Sequence, residues 1–390
     1  MTQDLMTPAP LAPSGPKRRG RKDPRRTAAT VAVAGLAALS LILGLGGVYF
    51  YRHLNDNLDV VDIEAQLTDR PDKVAVDTGP QEPINLLVMG SDARDGEGNN
   101  IDGLTGDGER SDTTIMFHLS ADRSFAYGVS IPRDSLVDRP DCKDENGETI
   151  PGATDVMWNE AFSVGGPACT IQQFEQLTDV RIDNYVVLDF NGFEDMVNAI
   201  DGVEVCLPEP IEDPAHGINI PAGTQEVVGR QALNYVRARY TLGDGSDLGR
   251  IKRQQAFIAA MASKVVSAGT LTRVDRVLGF LNAATRSLTT DFTSVTEIGR
   301  VGAGFKGIGL DNIKFVTVPW QYSPEDPNRV EWLPEADQLW KRVIEDQTLT
   351  KNLRDGVIKA SDKVDGADKE PTTERAQAAA SQRQAAGLCA

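Results

Sequence analysis

An uncharged run from Thr27 to Tyr51, TAATVAVAGLAALSLILGLGGVYFY, limits this chain more than any other feature. As a helix it would extend roughly 35 Å at about 1.5 Å per residue, enough for a bilayer core of about 30 Å. The rest of the chain must be arranged around this one apolar segment. Residues 1–26 carry seven basic residues (Lys17, Arg18, Arg19, Arg21, Lys22, Arg25, Arg26) against two acidic ones (Asp4, Asp23), a net of +5. Such basic flanks stay on the cytoplasmic side, and Phe50 and Tyr51 suit an aromatic belt at the far interface. A cleaved secretory leader is the competing reading. The run exceeds the about 7–15 residues of a leader's apolar region, and no clear A-x-A site follows before Tyr51. The expectation is a retained single-pass anchor in the cell membrane, with an extracytoplasmic domain after it.

The formal charge of the 390 residues is −17, so the part after residue 26 carries −22. That excess argues against general nucleic-acid binding, which uses a basic face. Arginines clustered in so acidic a domain need a reason, and an anionic ligand is one. Four cysteines (Cys142, Cys169, Cys206, Cys389) fit an oxidising compartment. Their number allows three pairings. Cys142 and Cys169 flank a loop-rich stretch and are the first choice, leaving Cys206 and Cys389 to staple the tail; the sequence leaves the pairing open. The spacings do not match a zinc site, and there are only three histidines (His53, His118, His216).

The organisation read along the chain is a basic, disordered segment 1–26, the helix 27–51, a polar stalk 52–82 with helix potential, one domain over 83–346, and a mobile tail 347–390 rich in Ala, Gln, Asp and Lys. Short apolar runs predict strands at INLLVM (84–89), TTIMFHLS (113–120), FAYGVSI (125–131), YVVLDF (185–190), GVEVCL (202–207) and KFVTVP (314–319). Helices are expected at 170–178, 193–200, 229–239 and 249–266. The mixture points to an α/β fold, an α-β-α sandwich with a central mixed sheet flanked by helices, preceded by one transmembrane helix. No internal repeat is visible.

Four polar motifs sit at the predicted strand ends or on helices. GSDAR (90–94) places Asp92 and Arg94 after a strand, where α/β proteins often bind ligands. ERSDTT (109–114) offers Arg110 and Asp112, which point to one side if extended. SIPRDSLV (130–137) offers Arg133 and Asp134. YVRARY and DLGRIKRQQ give Arg237, Arg239, Asp247, Arg250 and Gln254, the last two on one helical face at i,i+4. Taken singly, each motif also reads as a polar turn, a surface ion pair or a solvated basic face. Together they describe a site: Asp92 and Asp112 suit one hard cation such as Mg²⁺, and forked guanidiniums suit a diphosphate. No G-x-S-x-G, H-E-x-x-H or Walker GxxxxGK[ST] appears.

In number and order these motifs, with WNEAFSVGG (158–166), IDNYVVLDFNGFEDMVNAIDGVEV (182–205) and GRQALNYVRARY (229–240), resemble the LytR-CpsA-Psr family over about residues 84–266 and more loosely to about 346. The resemblance implies an enzyme of the bacterial cell envelope. It would be a phosphotransferase-type ligase that moves a glycan from a polyprenyl-pyrophosphate carrier to a hydroxyl of peptidoglycan or, in some actinobacterial members, to a surface protein. It implies Mg²⁺ (or Mn²⁺) on Asp92 and Asp112, and pyrophosphate contacts from Arg110, Arg133, Arg237, Arg239, Arg250 and Gln254. Asp92, Arg110, Asp112, Arg237 and Arg239 would be the catalytic set, with Arg94, Asp134 and Asp247 around them. Asp92, Asp134 and Asp247 compete for the role of base. Leu188, Phe190, Phe193, Met196, Val197 and Ile200 are candidate linings for a lipid slot, or plain core. Two other outcomes stay open: a pyrophosphatase using the same residues with water as acceptor, and a non-enzymatic envelope binder or regulator.

Overall fold

The computed structural model describes residues 24–92, 111–213, 218–238, 246–266, 273–354, 356–365 and 374–389. The chain divides into two compact units, Met1–Arg52 and His53–Ala390. In the first, helix α1 (Pro24–Asp56, whose last turn passes the boundary) is long and apolar enough to cross a membrane. Its aliphatic side chains, among them Leu36, Leu41, Ile42 and Leu43, are exposed. A helix apolar all round and uncovered by protein is a membrane-span candidate rather than a core helix.

The second unit is built on an eight-stranded mixed sheet. In chain order its strands are β1 (Asp59–Val60), β2 (Ile84–Ser91), β3 (Ser111–Leu119), β4 (Ala126–Ile131), β5 (Asn184–Leu188), β6 (Leu288–Thr290), β7 (Ile313–Thr317) and β8 (Ile358–Lys359). Across the sheet they lie in the order β1-β6-β5-β2-β3-β4-β7-β8. β2 pairs antiparallel with β3 and parallel with β5, β3 pairs antiparallel with β4, and β4 pairs parallel with β7. The unbroken INLLVM run has a physical cause here, because both faces of β2 are covered. Leu87 and Met89 enter one core with Phe174 and Trp340, while Leu86 and Val88 enter another with Phe315 and Val301. The first face is covered by α2 (Glu160–Thr178) and the helix Glu335–Ile344, the second by α5 (Asp247–Val266) and the helix Val295–Ile308. A third core, around Val197, Ile200, Val205 and Phe257, joins α3 (Phe190–Ala199), α4 (Gly229–Arg237) and α5 to the hairpin Val203–Leu207/Gly223–Val227. GVEVCL is thus a strand, as expected, but of this hairpin.

α2 begins ten residues before the helix expected at 170–178, and it is broken at Gly165 and Gly166. A Cβ on Gly165 would lie 2.0 Å from Cys169 Sγ, so the break leaves room for the Cys142–Cys169 disulfide. Trp158, buried ahead of α2, donates its indole N–H to Thr114 Oγ1 of β3 at 3.1 Å, and Gln173 holds the Trp158 carbonyl at 3.1 Å. WNEAFSVGG is therefore a brace behind the start of β3.

The two segments expected to be least attached are docked. Within 52–82, β1 joins the sheet beside β6. Val61 O accepts from Tyr185 Oη at 2.8 Å, and Thr68 exchanges backbone hydrogen bonds with Gln172 at 2.7 and 2.6 Å. Arg70 pairs with the buried Glu175 at 2.6 Å. In the tail, β8 forms a sheet edge, and Leu349, Ala360, Ala386 and Leu388 are buried. Arg253 of α5 donates to Ala386 O at 2.8 Å, and Cys389 is bonded to Cys206. Composition does not show this, because Tyr185, Gln172, Glu175, Arg253 and Cys206 lie more than a hundred residues from the groups they hold.

The Cys206–Cys389 bridge closes a sequence separation of 183 residues. Cys389→Ser is expected to cost about 2–4 kcal/mol of unfolding free energy in urea under non-reducing conditions. An unchanged midpoint would show that the tail is held without it.

Candidate functional site

Strand register brings the motifs together. Gly90 and Ser91 end β2 opposite Thr113 and Ser111 at the start of β3, with a register shift between Gly90 and Ser91. Ile131 ends β4 opposite Thr114, and Leu188 ends β5 beside Gly90. One sheet edge thus receives Asp92, Asp112, the Pro132–Arg133–Asp134 turn and Phe190. α5 starts at Asp247 and lays its first turns across this edge.

The centre is Asp112. Arg133 Nη1 reaches Asp112 Oδ1 at 2.5 Å, and Arg250 donates to the Asp112 backbone carbonyl at 3.1 Å with its other nitrogen 4.0 Å from Asp112 Oδ2. Arg250 also pairs with Asp247 at 2.5 Å. Arg133 Nε lies 3.4 Å from Asp247 and 3.6 Å from Asp134. The charges alternate, which lowers the cost of packing them closely. The Arg250 side chain is 4% exposed and the Asp112 side chain 33%. The cluster therefore has a buried base in α5 and an accessible top at the strand edge.

These surroundings move the titrations. Burial draws Arg250 below its usual value against the pull of Asp247. Burial also works on Arg133, but Asp112, Asp247 and Asp134 together raise it. Asp134 is pushed up by burial and by Asp247, despite Arg133 and Arg329. Arg329 reaches Asp134 at 3.6 Å and was absent from the sequence expectation. It arrives because Val330 bridges to Ser135 and donates to Asp134 O at 3.2 Å, a long-range contact without a sequence motif.

The remaining expected residues divide clearly. Gln254 donates to Thr113 Oγ1 at 3.0 Å and to Val236 O at 3.3 Å, tying β3 to α4. Arg237 ends the helix expected at 229–239, and its guanidinium sits 4.6 Å from the Phe190 ring centre. Arg94, Arg110 and Arg239 lie outside the described residues. Met196, Val197 and Ile200 are buried and Phe193 stacks near Phe257, so these belong to the α3–α4–α5 core; Leu188 and Phe190 are partly covered at its margin. Among the described residues no group of three or more His, Cys, Asp or Glu is placed to hold a metal.

The raised Asp134 has a stability consequence. Its folded-state pKa lies above the unfolded value, so the folded state holds the proton longer and stability falls as pH rises through that window. Asp134→Asn should therefore melt higher than the parent at neutral pH, with the difference gone once pH drops below the ordinary aspartate range of about 3.9. A lower melting point at neutral pH would mean that Arg133 and Arg329 outweigh burial.

Comparison with known proteins places the chain in a family. The LytR_cpsA_psr family model matches residues 49–345. The cell wall biosynthesis protein LcpA of Corynebacterium glutamicum is 32% identical over 259 residues, covering 60% of this chain and 49% of that protein. A probable cell wall biosynthesis protein of the same organism, LcpB, is 36% identical over 57% of this chain and 52% of its own length. The chain thus spans about half the length of these two relatives. The polyisoprenyl-teichoic acid–peptidoglycan teichoic acid transferase TagV of Bacillus subtilis is 26% identical over 78% of this chain and 74% of its own. The solved structure of TagT bound to LI-WTA shares the fold at a TM-score of 0.53 and 21% identity, over 73% of this chain and 99% of that one. With most of its length matched by the family model, the chain belongs to the LytR-CpsA-Psr family.

Proposed function

We propose that this protein is a cell-wall glycopolymer ligase. It would transfer a glycan phosphate from a polyprenyl-pyrophosphate carrier to a hydroxyl of peptidoglycan. The observation that carries the reading is the Asp112–Arg133–Arg250–Asp247 cluster at an accessible sheet edge. Relatives named as polyisoprenyl-teichoic acid–peptidoglycan transferases support it.

The chemistry asks for fixed positive charge where a diphosphate is cleaved. As the bond from the bridging oxygen to the transferred phosphorus breaks, the polyprenyl phosphate leaves with growing negative charge. Guanidiniums already held in place stabilise that charge without reorganising. Arg133 is such a group, oriented by three carboxylates. Arg237, at the end of α4 near Phe190, is a second; Arg110 and Arg239, expected in the same role, lie outside the described residues. Arg250 is too buried to do more than hold Asp112 and Asp247. Asp134, with its affinity for a proton raised, fits the group that accepts the acceptor hydroxyl's proton.

A divalent cation fits as well. Asp112 is partly exposed and offers hard oxygen donors, and Asp92 follows the Ser91–Ser111 pair beside it. With two protein carboxylates, the coordination shell would depend on substrate oxygens, as is common for Mg²⁺. When bound, the cation would neutralise phosphate charge. The anchor α1 would keep the enzyme in the same bilayer as its lipid-linked donor, with the basic segment inside and the domain outside.

Arg133→Ala and Arg237→Ala should each lower release of polyprenyl phosphate from a lipid-linked donor by about 10²–10³-fold. Normal release by both would remove the site. Product analysis separates acceptors: glycan on peptidoglycan for the ligase, glycan on protein for a surface-protein ligase, and free phosphorylated glycan for a pyrophosphatase.

A further inference from the structure

Beside the cluster lie two adjoining cavities, of about 380 and 580 Å³, which share Ser246, Leu248 and Tyr322. The smaller is lined by Arg133, Asp134, Asp247 and Arg329 and is the mouth of the candidate site. The larger has no part in the chemistry above. From its walls and position we infer that the larger cavity binds the acceptor glycan, an uncharged amino-sugar chain whose hydroxyl is presented to the Asp134–Arg133 mouth.

The walls carry the argument. The strand Trp320–Tyr322 pairs with Val330–Trp332 in a two-stranded ribbon. Trp320 and Tyr322, two residues apart on a strand, face the same side. Both line the cavity, with ring centres 5.1 Å apart at near right angles. Trp320 is half-buried and Tyr322 is 52% exposed. A pair of aromatic rings in edge-to-face contact, one of them exposed, suits a ligand that is apolar on its ring faces and polar at its edges, as a pyranose is. Thr317, Asn352 and Gln382 add neutral hydrogen-bonding groups to the lining.

Charge separates this cavity from the diphosphate site. Among the described residues its lining holds one basic residue, Lys252, and one acidic, Glu335. Lys252 donates to Gly356 O at 2.5 Å, and desolvation pulls its ammonium down to about 8. A diphosphate would favour the arginine-rich mouth over a cavity whose one described cation is a desolvated lysine. The volume lies within the roughly 300–1,000 Å³ of small-molecule sites. The shared Ser246, Leu248 and Tyr322 set the two spaces side by side.

This inference takes the role of acceptor from the ligase reading, but binding is measured independently. The full chain in detergent is titrated by calorimetry with a tetrasaccharide of β-linked N-acetylglucosamine. Trp320→Ala and Tyr322→Ala should each weaken binding by about tenfold or more. Tyr322, being exposed, can be truncated without a core cavity, which keeps the test valid if Trp320→Ala fails to fold. No binding to the parent, or equal affinity in Tyr322→Ala and in a folded Trp320→Ala, would overturn the inference. Release of polyprenyl phosphate is followed on the same preparations. A parent chain that binds the tetrasaccharide through these rings but releases no polyprenyl phosphate would keep the glycan site and defeat the ligase reading.

Discussion

Asp112 sits where strand, turn and helix meet, and the site depends on how its charge is balanced. A carboxylate at the start of β3 would be ordinary strand punctuation if it faced water alone. Here Arg133 reaches it from the end of β4 and Arg250 from α5. Removing either arginine leaves Asp112 and Asp247 sharing one guanidinium in a partly dry place, a cost that the fold avoids by keeping all partners together. The same balance holds Arg133 still, because Asp247 and Asp134 grip its Nε side. A fixed guanidinium beside an accessible edge is what a diphosphate-cleaving site requires.

Much of the remaining architecture holds α5 against that edge. Gln254 and Gln255 tie the helix to Thr113, Ser130 and Thr317 on three strands. Arg253, fully buried, reaches the carbonyls of Ala238 and Ala386 and so links the end of α4 to the C-terminal tail. Cys389, bonded to Cys206, fastens that tail to the hairpin next to the α3–α4–α5 core. The polar run GRIKRQQ therefore works largely inward. Of the residues expected to touch substrate, Arg250 and Gln254 serve as its framework.

What could be read beforehand was local. Short apolar runs marked β2, β3 and β5, and the polar motifs were legible because each follows or precedes such a run. The two disulfides took the pairing placed first, Cys142 with Cys169 and Cys206 with Cys389. What escaped was set by distant partners. Val61 and Arg70 are polar-stalk residues until Tyr185 and Glu175 are known to lie beside them. Arg329 sits in a Pro- and Asp-rich turn that resembles any surface loop until the ribbon carries it to Asp134.

In the proposed function the Arg133 edge would hold a diphosphate carried on a polyprenyl chain. The most direct check is mass spectrometry of lipid extracted from the full chain purified from its native membranes. A polyprenyl phosphate or pyrophosphate present near one per protein, and lost from a variant lacking both Arg133 and Arg237, is the predicted result. Extraction of bulk phospholipid alone, with no polyprenyl species from the parent chain, would contradict it.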